Sequence, residues 1–435
     1  MRCLVCDHDD KWVNVDEYRT VPKGMSICSH CGFVSYPSLW KSEEEIKQYY
    51  RKDYRKPPTI ANYWTGHRKL HFHNAFLKDV LKKWRDEKAE PVVGEVGAAY
   101  GLFLNFVKEV VPGAKVSGTE LTTSYRRNAF HEFGIELSED FDFSKKYDLI
   151  ASYKVAEHMC DVDRHIRACI EALKPGGLLY ISVPTWFGRL TNFGMGGFDL
   201  EYYYSTNHIN VWTRKLFEYV LKKAGAKVIK FDDQLYDESY LCVRDDSLMQ
   251  DLEPDFESYA DIRQRMAKIK KVAELYAETK FDECVELWPD FPEAWVGKYE
   301  KSRQKLHQIG FDRVKSEFIA EAFKACPRSV EIMIMAGDLS MRYERYNEAI
   351  EHFENALQAR PGLSPALKGL AHSLRHLSRL AMLEGKASEG WQLLEKARNV
   401  MRYLRQVSPQ DEQEALNWIY DDNARLPMPS EIKRK

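Results

Sequence analysis

Between Val92 and Val243 the sequence alternates short apolar runs with amphipathic stretches, and no other feature constrains the fold as much. Val92–Glu95, Lys115–Leu121, Tyr147–Ser152 and Leu178–Val183 read as strands. Between them, Leu102–Val111, Ser124–Phe133 and Val162–Leu173 carry helical periodicity, the last stopped by Lys174-Pro175-Gly176-Gly177. Such alternation builds a mostly parallel sheet with helices on both faces. A further helix is expected over Thr213–Ala224, then strands over Lys227–Phe231 and Ser239–Val243. No helix separates these two strands, so the last is expected to run antiparallel to its neighbour. Upstream, Tyr63–Asp86 has a helical apolar face built on Leu70, Leu77, Leu81 and Trp84.

At about 100–200 residues per domain, a chain of 435 residues holds more than this one sheet. From about Pro254 the strand signal stops and helical patterning runs on to about Asp421. Gly337, Ala349, Phe353, Ala356 and Pro361 sit at tetratricopeptide spacings, a repeat of about 34 residues. Pro327 and Ala322 stand one period before Pro361 and Ala356, and Ala371 one period after Gly337. Pro292 to Trp295 opens an earlier helix in the same style, and Trp391, Ala397 and Pro409 close a longer, irregular repeat. Small residues let the two helices of a repeat approach closely. The expected organisation is a metal-binding ribbon over 1–36, a linker over 37–60 that includes Lys56-Pro57-Pro58, the alternating domain over 61–248, and a helical repeat domain over 255–425.

Four of the nine cysteines lie in the first 31 residues, as Cys3/Cys6 and Cys28/Cys31 with 21 residues between the pairs. Two Cys-x-x-Cys knuckles supply four thiolates, a closed tetrahedral shell for Zn²⁺ with no open position for chemistry. A structural zinc is therefore expected, and a segment this short needs such a staple. A redox dithiol pair is the alternative. His8 and His30 lie close by but are not needed to fill the shell.

Glu95-Val96-Gly97-Ala98-Ala99-Tyr100-Gly101 follows a strand and opens a helix. Its glycines permit a sharp turn and close approach of a ligand to backbone. The next strand ends at Glu120, where an acid can accept hydrogen bonds from ribose hydroxyls. Together with Tyr147-Asp148-Leu149-Ile150, Glu157-His158 and Leu173 to Gly177, this set resembles class I S-adenosylmethionine-dependent methyltransferases, over about Tyr63 to Asp245. Upstream, Cys28-x-x-Cys31-Gly32-Phe33-Val34, Glu43-Glu44-Glu45-Ile46 and Tyr49-Tyr50 are similar to the zinc-bearing N-terminus of bacterial sugar and glycan-pathway methyltransferases. The resemblance implies an α/β fold: a Rossmann-like seven-stranded sheet, preceded by a small zinc ribbon and followed by an all-α repeat domain. It implies S-adenosyl-L-methionine as cofactor, with Glu95, Gly97 and Gly101 on the methionine side, Glu120 at the ribose, and Asp140 and Phe141 flanking the adenine.

Methyl transfer needs alignment of the acceptor and, for some acceptors, removal of a proton. His208, in Tyr202-Tyr203-Tyr204-Ser205-Thr206-Asn207-His208, resembles the histidine of a Tyr-x-Glu-His element by which sugar C-methyltransferases abstract a proton. Asn207 and Ser205 replace the other two residues, with Tyr204 one position off. This leaves O-, N- and C-methylation open. The bland reading of His208 is a residue that shapes its loop. His158 is a further catalytic candidate, whereas Glu157 reads as a support of the pocket. Metal-dependent O-methyltransferases carry Glu-x-x-Glu-His here, but Lys154 takes the first glutamate's place, so no catalytic metal is expected.

The formal charge of −2 disfavours nucleic acid held by bulk electrostatics. No apolar run approaches the roughly 18–20 residues of a membrane helix, and the N-terminus lacks the apolar core of a secretory signal. A cytoplasmic location is expected. The expected acceptor is a nucleotide sugar, glycan or related small metabolite. The alternative is methylation of a protein or RNA gripped by the helical repeats or the ribbon, since repeat arrays present concave binding surfaces.

Overall fold

In a computed structural model, the apolar runs of the sequence become two sheets. The structure describes residues 3, 5, 6, 8, 12–14, 26–35, 42–52, 76–186, 209–232, 238–249, 259–306, 309–359, 362–408, 411 and 413. In chain order, β1 (Trp12–Asn14), β2 (Ser26–Cys28), β3 (Val34–Ser35) and α1 (Glu43–Lys52) come first. The helix α2 (76–86) leads into β4 (Val92–Val96), α3 (Leu102–Val110), β5 (Lys115–Thr119), α4 (Thr123–Phe133) and β6 (Leu137–Ser138). Then follow β7 (Tyr147–Tyr153), α5 (Val162–Glu171), β8 (Leu173–Val183), β9 (Thr185–Trp186), β10 (Asn210–Thr213), α6 (Arg214–Lys223), β11 (Ala226–Asp232) and β12 (Glu238–Arg244).

Seven strands pair in the order β11-β12-β8-β7-β4-β5-β6. The run from β8 to β6 is parallel, and β12 is antiparallel to both neighbours, as its direct connection from β11 requires. The chain moves outward from β4 to β6 and then crosses back to β7. The order therefore reverses between β4 and β7, and ligands of open α/β sheets bind at the carboxyl ends beside such a switch.

Alternate residues of β8 serve the two faces. Leu179, Ile181 and Val183 share a buried cluster with Ile166 and Cys169 of α5 and with Leu216 and Phe217 of α6. Tyr180 points the other way, its ring 5.2 Å from Phe76 of α2 and 6.1 Å from Phe103 of α3. One boundary differs from expectation. The ladder of β8 starts at Leu173, opposite Tyr147, and resumes at Leu178, opposite Leu149. Lys174 to Gly177 bulge out of it, rather than stopping a helix that has already ended at Glu171.

A second sheet, β1-β2-β3-β10-β9, joins the N-terminal knuckle to strands far along the chain. β10 pairs antiparallel with β3 and parallel with β9. The stretch expected as linker contains α1, whose side chains bond to the main domain.

Two compact units are present, one of residues 1–62 and 76–273 and the other of 63–75 and 274–435. Helices dominate the second. They include Phe281–Leu287, Pro292–Leu306, Val330–Arg342, Tyr346–Ala359, Ser364–Leu383 and Ala387–Val407. Phe353 is the hub of the later ones: a Cβ on Gly337 or Gly369 would lie 2.7 Å or 2.2 Å from its ring. Gly390, Leu394 and Ala397 repeat the spacing of Ala349, Phe353 and Ala356. The hairpin that carries them is about two helical turns longer than a standard repeat. Pro361 and Pro409 lie outside the described residues. No helix among the described residues is long and apolar enough to cross a membrane.

Candidate functional site

β4 runs into a turn in which Gly97, Ala99 and Gly101 all have positive φ, at 68°, 46° and 73°. A non-glycine in that region is uncommon and marks a constrained position. The turn is held by Ala98 N–H to Thr119 O (2.7 Å) and Gly101 N–H to Ala98 O (2.8 Å). Gly97 N–H faces Thr119 Oγ1 at 3.5 Å. A Cβ on Gly97 would stand 2.6 Å from Val155 Cγ2, so the turn is closed on one side by the exit of β7.

Two carboxylates flank this turn. Glu120 is partly exposed and orients its oxygens by accepting from Ala99 N–H (3.0 Å) and Thr122 N–H (2.8 Å). A carboxylate has about four lone-pair sites, so it retains capacity for hydroxyl donors. Glu95 is buried, and its Oε2 has no hydrogen-bond partner among the described residues. Burial, and then the charge of Glu120, hold its pKa well above the usual carboxylate range. Such a group takes up either a proton or a cation.

The next strand end carries Glu139, Asp140 and Phe141. Asp140 is largely exposed and pairs with Lys47 of α1 at 3.7 Å. The Phe141 ring is turned onto Gly94 of β4, where a Cβ would lie 2.6 Å from it, and packs 5.1 Å from Tyr147. Glu139 receives Arg126 (2.8 Å) and Arg51 of α1 (3.2 Å), and Thr122 Oγ1 donates to Tyr50 O (3.1 Å). α1 thus lies along the carboxyl ends of β5 and β6. The pairings of this helix with Thr122 and Glu139, and the part played by Thr119, are not visible in the sequence, because the partners lie far apart along the chain.

At the end of β7, Lys154 takes a φ of 58° and bonds through its N–H to Ser182 O (3.0 Å). A single turn, Ala156–His158, follows. Glu157 is buried with His158 Nε2 at 3.8 Å from its Oε1, and the His158 ring meets Tyr50 edge-on at 5.6 Å. His208 and Tyr204, with the aromatic stretch 187–208, lie outside the described residues.

The four paired cysteines converge. Their sulfurs all lie within 4.8 Å of one another, with Cys3–Cys31 and Cys6–Cys28 each at 3.7 Å. A Zn–S bond of about 2.3 Å puts tetrahedral sulfurs about 3.8 Å apart, so the donor set fits a tetrahedral thiolate metal. Gly32, at φ 73°, closes the second knuckle with its N–H on Cys28 O (2.9 Å). Neighbouring thiols, Cys28 first, push the Cys31 thiol up, a conflict that a cation among the sulfurs removes. His8 and His30 stack on each other at 3.7 Å beside the cluster.

Residues 69–230 match the family model described as a methyltransferase domain. A curated relative, the ubiquinone biosynthesis O-methyltransferase of Chelativorans sp. (strain BNC1), is 30% identical over 135 residues, or 26% of this chain. The chain spans about half of that relative, 53% of its length. Among solved structures, the magnesium protoporphyrin IX methyltransferase of Synechocystis PCC 6803 with bound SAH has a TM-score of 0.34 at 13% identity, covering 47% of this chain and all of that one (100%). Human N-acetylserotonin methyltransferase in complex with SAM has a TM-score of 0.31 at 18% identity, covering 48% of this chain and 59% of that one.

Proposed function

We propose that this chain transfers a methyl group from S-adenosyl-L-methionine to a small acceptor: a nucleotide sugar, a glycan or a related metabolite. The observation that carries this reading is the grouping of Glu95, the Gly97–Gly101 turn and Glu120 at the carboxyl ends of two adjacent strands. When bound, the cofactor supplies an activated methyl group on a sulfonium. Gly97 and Gly101 let the backbone take the positive φ of this turn and pack it against Val155 and Ala129, so that the turn can follow the ligand. The buried oxygen of Glu95 offers its charge to the ammonium of the methionine portion, and Glu120 accepts from the ribose hydroxyls. The adenine end is assigned to the turn at Asp140 and Phe141. His208 is assigned the acceptor's proton, with Tyr204 beside it and His158 as a second polar group at the end of β7.

The cysteine knuckle is read as a structural Zn²⁺ site, and the chain as cytoplasmic. The helical hairpins around Phe353 are read as tetratricopeptide-like. They favour a second reading, in which a protein or RNA partner held by the repeats is methylated, and in either case suit a protein partner.

Calorimetric titration with S-adenosylhomocysteine tests the cleft. Wild type should bind, and Gly97→Val should lose at least about 100-fold in affinity, because a β-branched residue is strained at positive φ and its Cβ meets Val155. Equal affinity in a folded variant would place the cofactor elsewhere. Mass spectrometry of an extract incubated with labelled cofactor identifies the acceptor.

A further inference from the structure

The cysteine knuckle is joined to the end of β7 through a short chain of contacts. Cys31 is followed at once by Gly32, Phe33 and β3. In the β3–β10 pair, Ser35 stands opposite Asn210 and Val34 opposite Val211. The Phe33 ring is 6.1 Å from Trp212, which is itself fully buried and 5.1 Å from Phe217. Cys3, Cys28 and Cys31 belong to the same buried cluster as Trp212 and α6, and Lys223 Nζ donates to Val5 O at 3.3 Å.

Just ahead of this pairing the chain grips the turn Ala156–His158. Ile209 N–H donates to Glu157 O (2.9 Å), and Asn210 Nδ2 donates to Met159 O (2.5 Å). Asn210 is only 1% exposed, so its amide has little water to compete for that bond. The cradle around Gly97 takes its hydrogen bonds from β4, β5 and their turns, and meets the gripped segment through Val155, which packs beside Gly97.

We propose that the metal held by the four cysteines is a positioning centre for the acceptor side of the cleft, and that Asn210 is the positioning residue that transmits it. The inference rests on the metal reading above. β3 has two residues and β10 four, too few to hold register unaided. β1, β2 and β3 are as short, and without a metal they have little core of their own. With the metal in place the knuckle is rigid and offers β10 a fixed edge. Ile209 and Asn210 then pin Glu157 and Met159, and with them the position of His158. Without it, β10 loses that edge and the turn loosens, while the cofactor cradle keeps its own supports.

The test uses the full-length protein, its zinc measured by elemental analysis before and after chelation. Local hydrogen exchange is followed by mass spectrometry, and S-adenosylhomocysteine binding by calorimetry. Chelation should speed exchange at 156–159 and 209–213 by at least about tenfold, with 92–101 and 115–122 unchanged and affinity within about twofold. Added zinc should restore protection. Asn210→Ala should keep its zinc, speed exchange at 156–159 alike, and gain nothing from added zinc. Unchanged exchange at 156–159 after metal loss overturns the proposal. So does loss spreading to 92–101 with loss of binding, which would make the metal a support of the whole unit. A protein purified without metal overturns this proposal and the metal reading together. Failure of the native protein to bind S-adenosylhomocysteine overturns the cofactor reading alone and leaves the exchange result to judge the coupling.

Discussion

Glu95 and Glu120 stand at the ends of adjacent strands, yet their surroundings differ. Glu120 spends part of its charge on two backbone N–H groups and meets solvent. Glu95 is buried, with Oε2 unsatisfied among the described residues, and its pKa is raised by burial and then by Glu120. A carboxyl whose folded pKa exceeds its unfolded value of about 4.3 binds its proton more tightly in the folded state. Its ionisation therefore removes stability as pH rises from the unfolded value towards the raised folded one. Glu95→Gln should make the ligand-free protein more stable, with a Tm higher by a few degrees at pH above that window and the gain fading below about pH 4. The same variant should weaken S-adenosylhomocysteine binding by about 10- to 100-fold, the 1.5–3 kcal/mol of a lost charge-assisted contact. Thermal melts across pH and calorimetry check both arms. A variant that is less stable and binds normally would make Glu95 a structural carboxylate. At this scale the sequence was legible where geometry sits on local spacing: the positive-φ turn from Gly97 to Gly101 and the convergence of the four cysteines. It was silent on Thr119 and Asn210, whose roles come from backbone atoms and neighbours far along the chain.

Elements were legible wherever an apolar period was long. β4, β5, β7, β8, α3 and the antiparallel β12 follow from periodicity and turn residues, because burial on a sheet or helix face writes that period into the sequence. β3, β9 and β10 have two to four residues each, too short for a period to show. In the helical unit the periodic small residue Gly337 is legible, whereas Gly369 is not, and both matter for a steric reason that can be tested. Gly337 and Gly369 approach Phe353 so closely that a Cβ at Gly369 would stand 2.2 Å from the ring. Gly369→Ala should overpack this contact and cost about 1–3 kcal/mol, despite alanine's higher helix propensity. Combining it with Phe353→Leu should recover part of the loss, since both changes act on one contact. Chemical denaturation of the single and double variants measures this. Additive losses would show that Gly369 tolerates a methyl and that the close approach lacks energetic weight.

At the scale of the whole molecule, the two units differ in what a ligand can do for them. The described residues assigned to the cleft belong to the first unit, and the cluster around Phe353 to the second. A ligand that binds only the folded state stabilises what it binds by RT ln(1 + [L]/Kd), about 2.7 kcal/mol at a hundredfold excess over Kd. For a unit of this size that is a rise of about 5–10 °C in melting temperature. If the units unfold independently, S-adenosylhomocysteine should move one thermal transition by about that much and leave the other in place. In hydrogen exchange, added ligand should slow 92–101 and 115–122 strongly and leave Val330–Arg342 and Tyr346–Ala359 unchanged. One calorimetric transition that moves as a whole, with matching slowing over those helices, would show instead that the helical unit unfolds together with the sheet. A partner proposed for the helical hairpins would then be coupled to the proposed cofactor, each altering the other's affinity by the same factor.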